Sequence, residues 1–138
     1  MFLAKINLYT YRMKKLLLFI TLSLFLVSFT RFDNSAAIVN ALKAGNAEEL
    51  SKYLDNYIDL KLPEKEEIKN IGKNQAGIAL QSFFKQNGIN GFELSSQRDM
   101  NGTMYIAGKL QNSVKGYNIT MLLKTRDGSQ QIITLRIN

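Results

Sequence analysis

The side chains able to do chemistry in this chain are few and of few kinds. Tyr53, Asp55, Tyr57 and Asp59 fall on alternate positions of one short segment. A carboxylate beside a phenol can act as general base and hydrogen-bond donor in proton transfer next to a carbonyl. The plainer reading makes the same residues cap and solvent-facing strand residues. Tyr53, Tyr57 and Asp59 therefore stand as candidates for a ligand site, and no residue is assigned as catalytic.

Three further groupings have ordinary readings. Glu64, Glu66 and Glu67 are acidic enough to suggest a calcium loop, but the alternating oxygen ligands and the turn glycine of such loops are absent. A solvated, charged turn is the expectation. Lys109, Lys124 and Arg136, interleaved with Tyr105, have the character of a surface for an anionic polymer. With acidic residues nearby, strand-edge protection and solubility account for them first. Asn101-Gly102-Thr103 and Asn118-Ile119-Thr120 fit the glycosylation pattern, which reads as accidental, one of the two falling in a hairpin turn.

Composition removes whole classes of activity. There is no His, Cys or Trp among 138 residues. That leaves no Ser-His-Asp or Cys-His relay, no zinc site of the usual nitrogen and sulfur ligands and no disulfide. No metal and no cofactor is expected. The length suits one domain with its own core, since single domains run to about 100 to 150 residues.

The N-terminal end reads as an address. Lys14 and Lys15 precede an uncharged run from Leu16 to Phe29, the basic and apolar regions of a secretory signal. That run falls short of the roughly 20 residues needed to span a membrane. Residues 1–12 read as an upstream extension, with Met13 as the start of the signal. Ser28-Phe29-Thr30 is one match to the cleavage pattern, and Ser35-Ala36-Ala37 is a better one that would cut into the next helix. An uncleaved N-terminal anchor is the alternative, and signal or anchor is the only membrane contact expected. Residues 1–30 hold four basic and no acidic residues, so 14 basic against 11 acidic leaves +3 on residues 31–138. Scattered charge of that size argues against nucleic acid, which favours a clustered basic stripe.

The rest must be built by helices and then strands. Asp33 or Asn34 caps a helix over 35–43 that stops at Gly45, and Asn46 caps a second over 47–54, with Glu49 in the capping-box position. Tyr57 to Leu62 alternates as a half-buried strand ending at Pro63. Residues 64–74 read as a loop with a short strand. Asn74 caps a third helix over 75–86, with Ile78, Leu80, Phe83 and Phe84 on its apolar side. Strands are expected over 92–98, 103–111, 117–125 and 130–137, with hairpin turns at Asn101-Gly102 and Asp127-Gly128. Alternation puts Phe92, Leu94, Met104, Ile106, Leu110, Ile119, Met121, Leu123, Ile133, Leu135 and Ile137 on the helix-facing side. The outer side then carries Tyr105, Ala107, Thr120, Leu122, Ile132 and Thr134 among the basic residues. Its apolar members predict a homodimer through Tyr105, Leu122 and Ile132.

This order of elements resembles the nuclear transport factor 2-like, or cystatin-like, fold. The segment from Ala36 to Leu54, with Ile58-Asp59-Leu60, Phe83-Phe84 and Leu135-Arg136-Ile137, is similar to the secreted bacterial family known as domain of unknown function 4783, typical of Bacteroidetes-type bacteria. The resemblance implies an α+β domain over 31–138, with three N-terminal helices packed on a curved antiparallel sheet. It supplies no catalytic residue. The function expected is that of an exported, small, non-enzymatic binding or interaction domain, with room in the cone for a small apolar ligand. An enzyme of the ketosteroid-isomerase or dehydratase kind, or a membrane-anchored envelope protein, is the alternative.

Overall fold

The computed structural model describes residues 2–26 and 33–138. The chain divides into two compact units, Met1–Arg31 and Phe32–Asn138. The described part of the first is one helix, α1 (Phe2–Leu26), so residues 2–12 of the upstream extension and residues 16–26 of the apolar run share a helix. Among the described residues, no helix is long and apolar enough to cross a membrane. The cleavage match Ser28-Phe29-Thr30 lies outside the described residues.

The second unit begins with a tight helical corner. Asp33 Oδ1 accepts the Ser35 amide at 2.9 Å and starts α2 (Ser35–Lys43). Two hydrogen bonds to Ser35 hold the Asp33 carboxyl below the ordinary carboxylate value. Asn34 does different work: its side-chain amide donates to Ser129 Oγ and to the Gln130 carbonyl, fastening the helix start to the last strand. At the other end Gly45 takes a left-handed φ of 64°, while its amide reaches the Leu42 carbonyl and that of Asn46 reaches Ala41. This paired closure satisfies the last carbonyls and needs a residue without a Cβ. Asn46 then caps α3 (Ala47–Ser51) through the Glu49 amide. The second helix is shorter than expected because Leu54 already belongs to strand β1 (Leu54–Lys61).

After β1 and a short β2 (Ile68–Gly72), the chain forms α4 (Lys73–Gln86). The helix begins after Gly72 rather than at Asn74. Two strands thus precede α4, so the three helices do not all lie N-terminal to the sheet. β3 (Gly91–Met100), β4 (Thr103–Gln111), β5 (Gly116–Arg126) and β6 (Ser129–Ile137) follow as hairpins. The turns at Asn101-Gly102 and Asp127-Gly128 have positive φ at both central residues, as two-residue hairpins require.

The six strands form a curved, unclosed sheet in the order β2-β1-β6-β5-β4-β3. Neighbours are antiparallel except β1 and β6, which pair in parallel, a departure from the all-antiparallel expectation. The long crossover through α4 and the meander allows this, since parallel neighbours cannot be joined by a tight turn. Irregular register occurs within β1, at Leu94/Ser96 of β3 and at the β5–β6 pairing, and such bulges bend and twist a sheet.

One contiguous apolar core lies between the helices and one face of the sheet. Phe83, Phe84 and Met121 are buried in it as expected. The bulges explain the assignments that alternation gets wrong. Leu123 pairs with Ile132 and Leu122 with Thr134, so Ile133 is the extra residue of β6. Ile132 therefore points into the core with no exposure, while Ile133 is half-buried. Leu94 lies at the β3 bulge and is 40% exposed. On α4 the buried stripe is Ala76, Leu80, Phe83 and Phe84, which leaves Ile78 on the far side of the helix, 66% exposed.

Candidate functional site

The space between helices and sheet is where a fold of this shape has room for a ligand or a reacting group. Here it is filled. Ile38, Leu42, Leu50, Leu54, Leu80 and Ile106, with further sheet residues, have almost no exposure. Among the described residues the buried polar or charged ones are Ser35 and Asp55. Ser35 belongs to the first turn of α2. Asp55, expected in solvent, is instead held by two contacts: Oδ1 accepts the Asn56 amide at 2.9 Å and Oδ2 lies 3.3 Å from Arg126 Nη1. Arg126 is 71 positions away and had no role in the reading of the sequence. Its position at the end of β5, beside the Asp127-Gly128 turn, brings it to Asp55.

The three candidate ligand residues do not converge on one point. Tyr53 is partly buried against the core, and its carbonyl accepts the Ile132 amide at 2.8 Å, so it joins the helical corner to β6. Tyr57 and Asp59 share the outer face of β1, where Tyr57 is 62% exposed. Asp59 Oδ1 accepts the Asn70 amide at 2.9 Å, which supports the left-handed Asn70 (φ 57°) in β2. That is a backbone-bracing role of the kind Asp often fills in irregular strands.

The charged groupings are engaged in part. Glu67 Oε1 accepts from Arg136 Nε at 2.7 Å, so one acid of the suspected calcium loop and one cation of the suspected polymer surface neutralise each other. No group of three or more acidic side chains able to hold a metal occurs among the described residues. The Lys109 stem lies against Gly116, where a Cβ would collide with it.

What the sheet does assemble is a row on its outer face. Register places Arg98 beside Tyr105, Tyr105 beside Leu122, Leu122 beside Thr134, and Thr134 beside Asp59. The row crosses five strands and has a cation at one end, a carboxylate at the other and an aromatic and an aliphatic side chain between. Ser96, Ala107, Thr120 and Arg136 form the next row. Tyr105, Ala107, Thr120, Leu122 and Thr134 are half-buried. Of the three residues expected to form the apolar patch, Tyr105 and Leu122 lie on this face and Ile132 does not, because the β6 bulge turns it inward.

An apolar core wedged between helices and a bent, unclosed sheet of this order defines an α+β protein of the nuclear transport factor 2-like class. Residues 35–138 match the family described as Domain of unknown function (DUF4783), and the chain belongs to that family. A solved family member from Bacteroides ovatus is similar at 27% identity and a TM-score of 0.68, over 72% of this chain and 89% of that one. One from Bacteroides uniformis is 22% identical with a TM-score of 0.71, over 77% and 96% respectively. A nuclear transport factor 2-like protein of unknown function from Cytophaga hutchinsonii shares the fold at 13% identity, with a TM-score of 0.55 over 79% of this chain and 88% of that one. No curated protein matches the sequence.

Proposed function

We propose that this chain is an exported, non-catalytic interaction domain that works as a face-to-face homodimer. The observation that carries the reading is the row from Arg98 to Asp59. Five strands about 4.8 Å apart make it about 19 Å long. Leu122 is its midpoint. A two-fold axis lying along β5 and passing over Leu122 sets Arg98 of one copy opposite Asp59 of the second, Tyr105 opposite Thr134, and Leu122 opposite itself. The row is self-complementary in charge and in apolar character, which is what an isologous interface requires. The apolar, filled centre of the helix-facing interior favours recognition at the surface over chemistry in the cone. The basic pair and apolar run at 14–29 support export.

The test is the oligomeric state by light scattering at micromolar concentration. A dimer is expected, and Leu122→Glu should convert it to folded monomers, because two carboxylates would face each other across the axis. A monomeric wild-type protein would overturn the dimer.

A further inference from the structure

On the helix side of the sheet a cleft of about 520 Å³ opens between α4, the β1–β2 turn and the start of β5. That volume is in the range of small-molecule sites, about 300 to 1,000 Å³. Its floor is built and braced. The Tyr117 ring meets Phe83 edge-on, with centroids 5.2 Å apart, and its hydroxyl donates to Asn87 Oδ1 at 3.0 Å. Asn87 is fixed in turn, its amide donating to the Phe83 carbonyl at 2.8 Å while its carbonyl accepts from Asn112 Nδ2 at 2.6 Å. Leu62 and Pro63 supply an apolar wall opposite the helix.

The rim differs in kind from the floor. Lys65 and Lys115 stand on it with Glu64 as the one acidic lining residue, and the Lys115 ammonium lies 4.7 Å from the Tyr117 ring centre. Ser82 and Gln86 add a hydroxyl and an amide from α4, and among the described residues neither is engaged by another side chain. The aromatic floor is narrow, since Phe83 and Tyr117 are each more than nine-tenths buried, and it lies beneath an excess of cations and free donors, a combination that suits one kind of guest. We infer that this cleft binds a small amphipathic carboxylate, its compact apolar end against Leu62 and the exposed edges of Phe83 and Tyr117 and its anionic head between Lys65 and Lys115. Cation-to-carboxylate hydrogen bonds are the stronger kind, and the aromatic floor provides the apolar contact. None of these residues belongs to the outer-face row, so the inference is independent of the dimer.

The experiment is a titration of the full-length protein with 4-phenylbutyrate, followed by amide NMR shifts, with 4-phenylbutanol as the neutral counterpart. Saturable shifts centred on Lys65, Ser82, Gln86 and Lys115 are expected, with the alcohol binding about tenfold more weakly. A Lys65→Gln/Lys115→Gln double variant with unchanged melting should weaken the acid by a similar factor and leave the alcohol unaffected. Absence of saturable shifts, shifts centred elsewhere, or equal binding of acid and alcohol would overturn the inference. If the double variant fails to fold, the acid-against-alcohol comparison on the wild-type protein decides alone.

Discussion

Phe83 and Phe84 are neighbours in sequence that both reach the core, because α4 crosses the sheet with a stripe wide enough to hold two adjacent positions. Truncating a buried Phe to Ala costs about 3 to 5 kcal/mol. For Phe84→Ala that loss should appear directly in urea unfolding. Phe83→Ala should also release Tyr117, whose ring it holds edge-on, and so alter the Tyr117 signals as well as stability. Near-wild-type midpoints for both variants would contradict the burial. Asp33 is a second informative single residue. Its folded pKa is depressed by the bonds to Ser35, so its contribution is fully present above the unfolded value of about 3.9 and is lost as pH falls through the lower folded value. Asp33→Asn should therefore lower the melting temperature at neutral pH, and the difference from wild type should shrink on acidification below the ordinary carboxylate range. A difference independent of pH would show that the carboxylate charge contributes nothing there.

At the scale of elements, the β6 bulge gives a test that simple alternation would fail. Ile132→Asp puts an unpaired carboxylate into the core and should cost about 4 kcal/mol or more. Ile133→Asp, at the half-buried extra position, should cost much less. Denaturant midpoints of the two variants check this, and the reverse order would restore the regular register. The pair also marks where sequence reading stops. The hairpins at Asn101-Gly102 and Asp127-Gly128 were legible because consecutive positive φ angles select those residues locally. So were the α2 stop at Gly45 and the Asn46 cap, both set within a few residues. A bulge is set by the partner strand's length and by the curvature that the helices require, and none of that is written in β6 itself. Asp55 escaped for the same reason, since its partner Arg126 is distant in sequence. Ile78 did too, because a short helix with several apolar positions has its buried side chosen by packing. The candidate site shows the same division. Tyr105 and Leu122 follow from alternation, whereas the cleft joining Asn87, Lys115 and Tyr117 depends on how α4 lies across the sheet.

At the scale of the whole molecule, the formal charge of +7 is concentrated at the end that carries the proposed signal, and residues 31–138 hold 14 basic against 11 acidic residues. The domain's own start sharpens where processing would have to fall. The better small-residue match, Ser35-Ala36-Ala37, lies in the first turn of α2, where Ser35 is buried. Cleavage after Ala37 would remove the Asp33 cap and both hydrogen bonds from Asn34 to β6. Losing a helix cap alone costs about 1 kcal/mol, and the lost tie from the helix start to β6 adds to it. Intact-mass measurement on protein recovered from the native cell envelope should therefore find an N-terminus before Asp33 and no residues from Leu16 to Phe29. Recovery of the apolar run would support the anchored form instead. A mature chain beginning at Ile38 would show that the domain holds together without the Asn34 bonds, and Asn34→Ala would then have to leave the melting temperature of the domain unchanged.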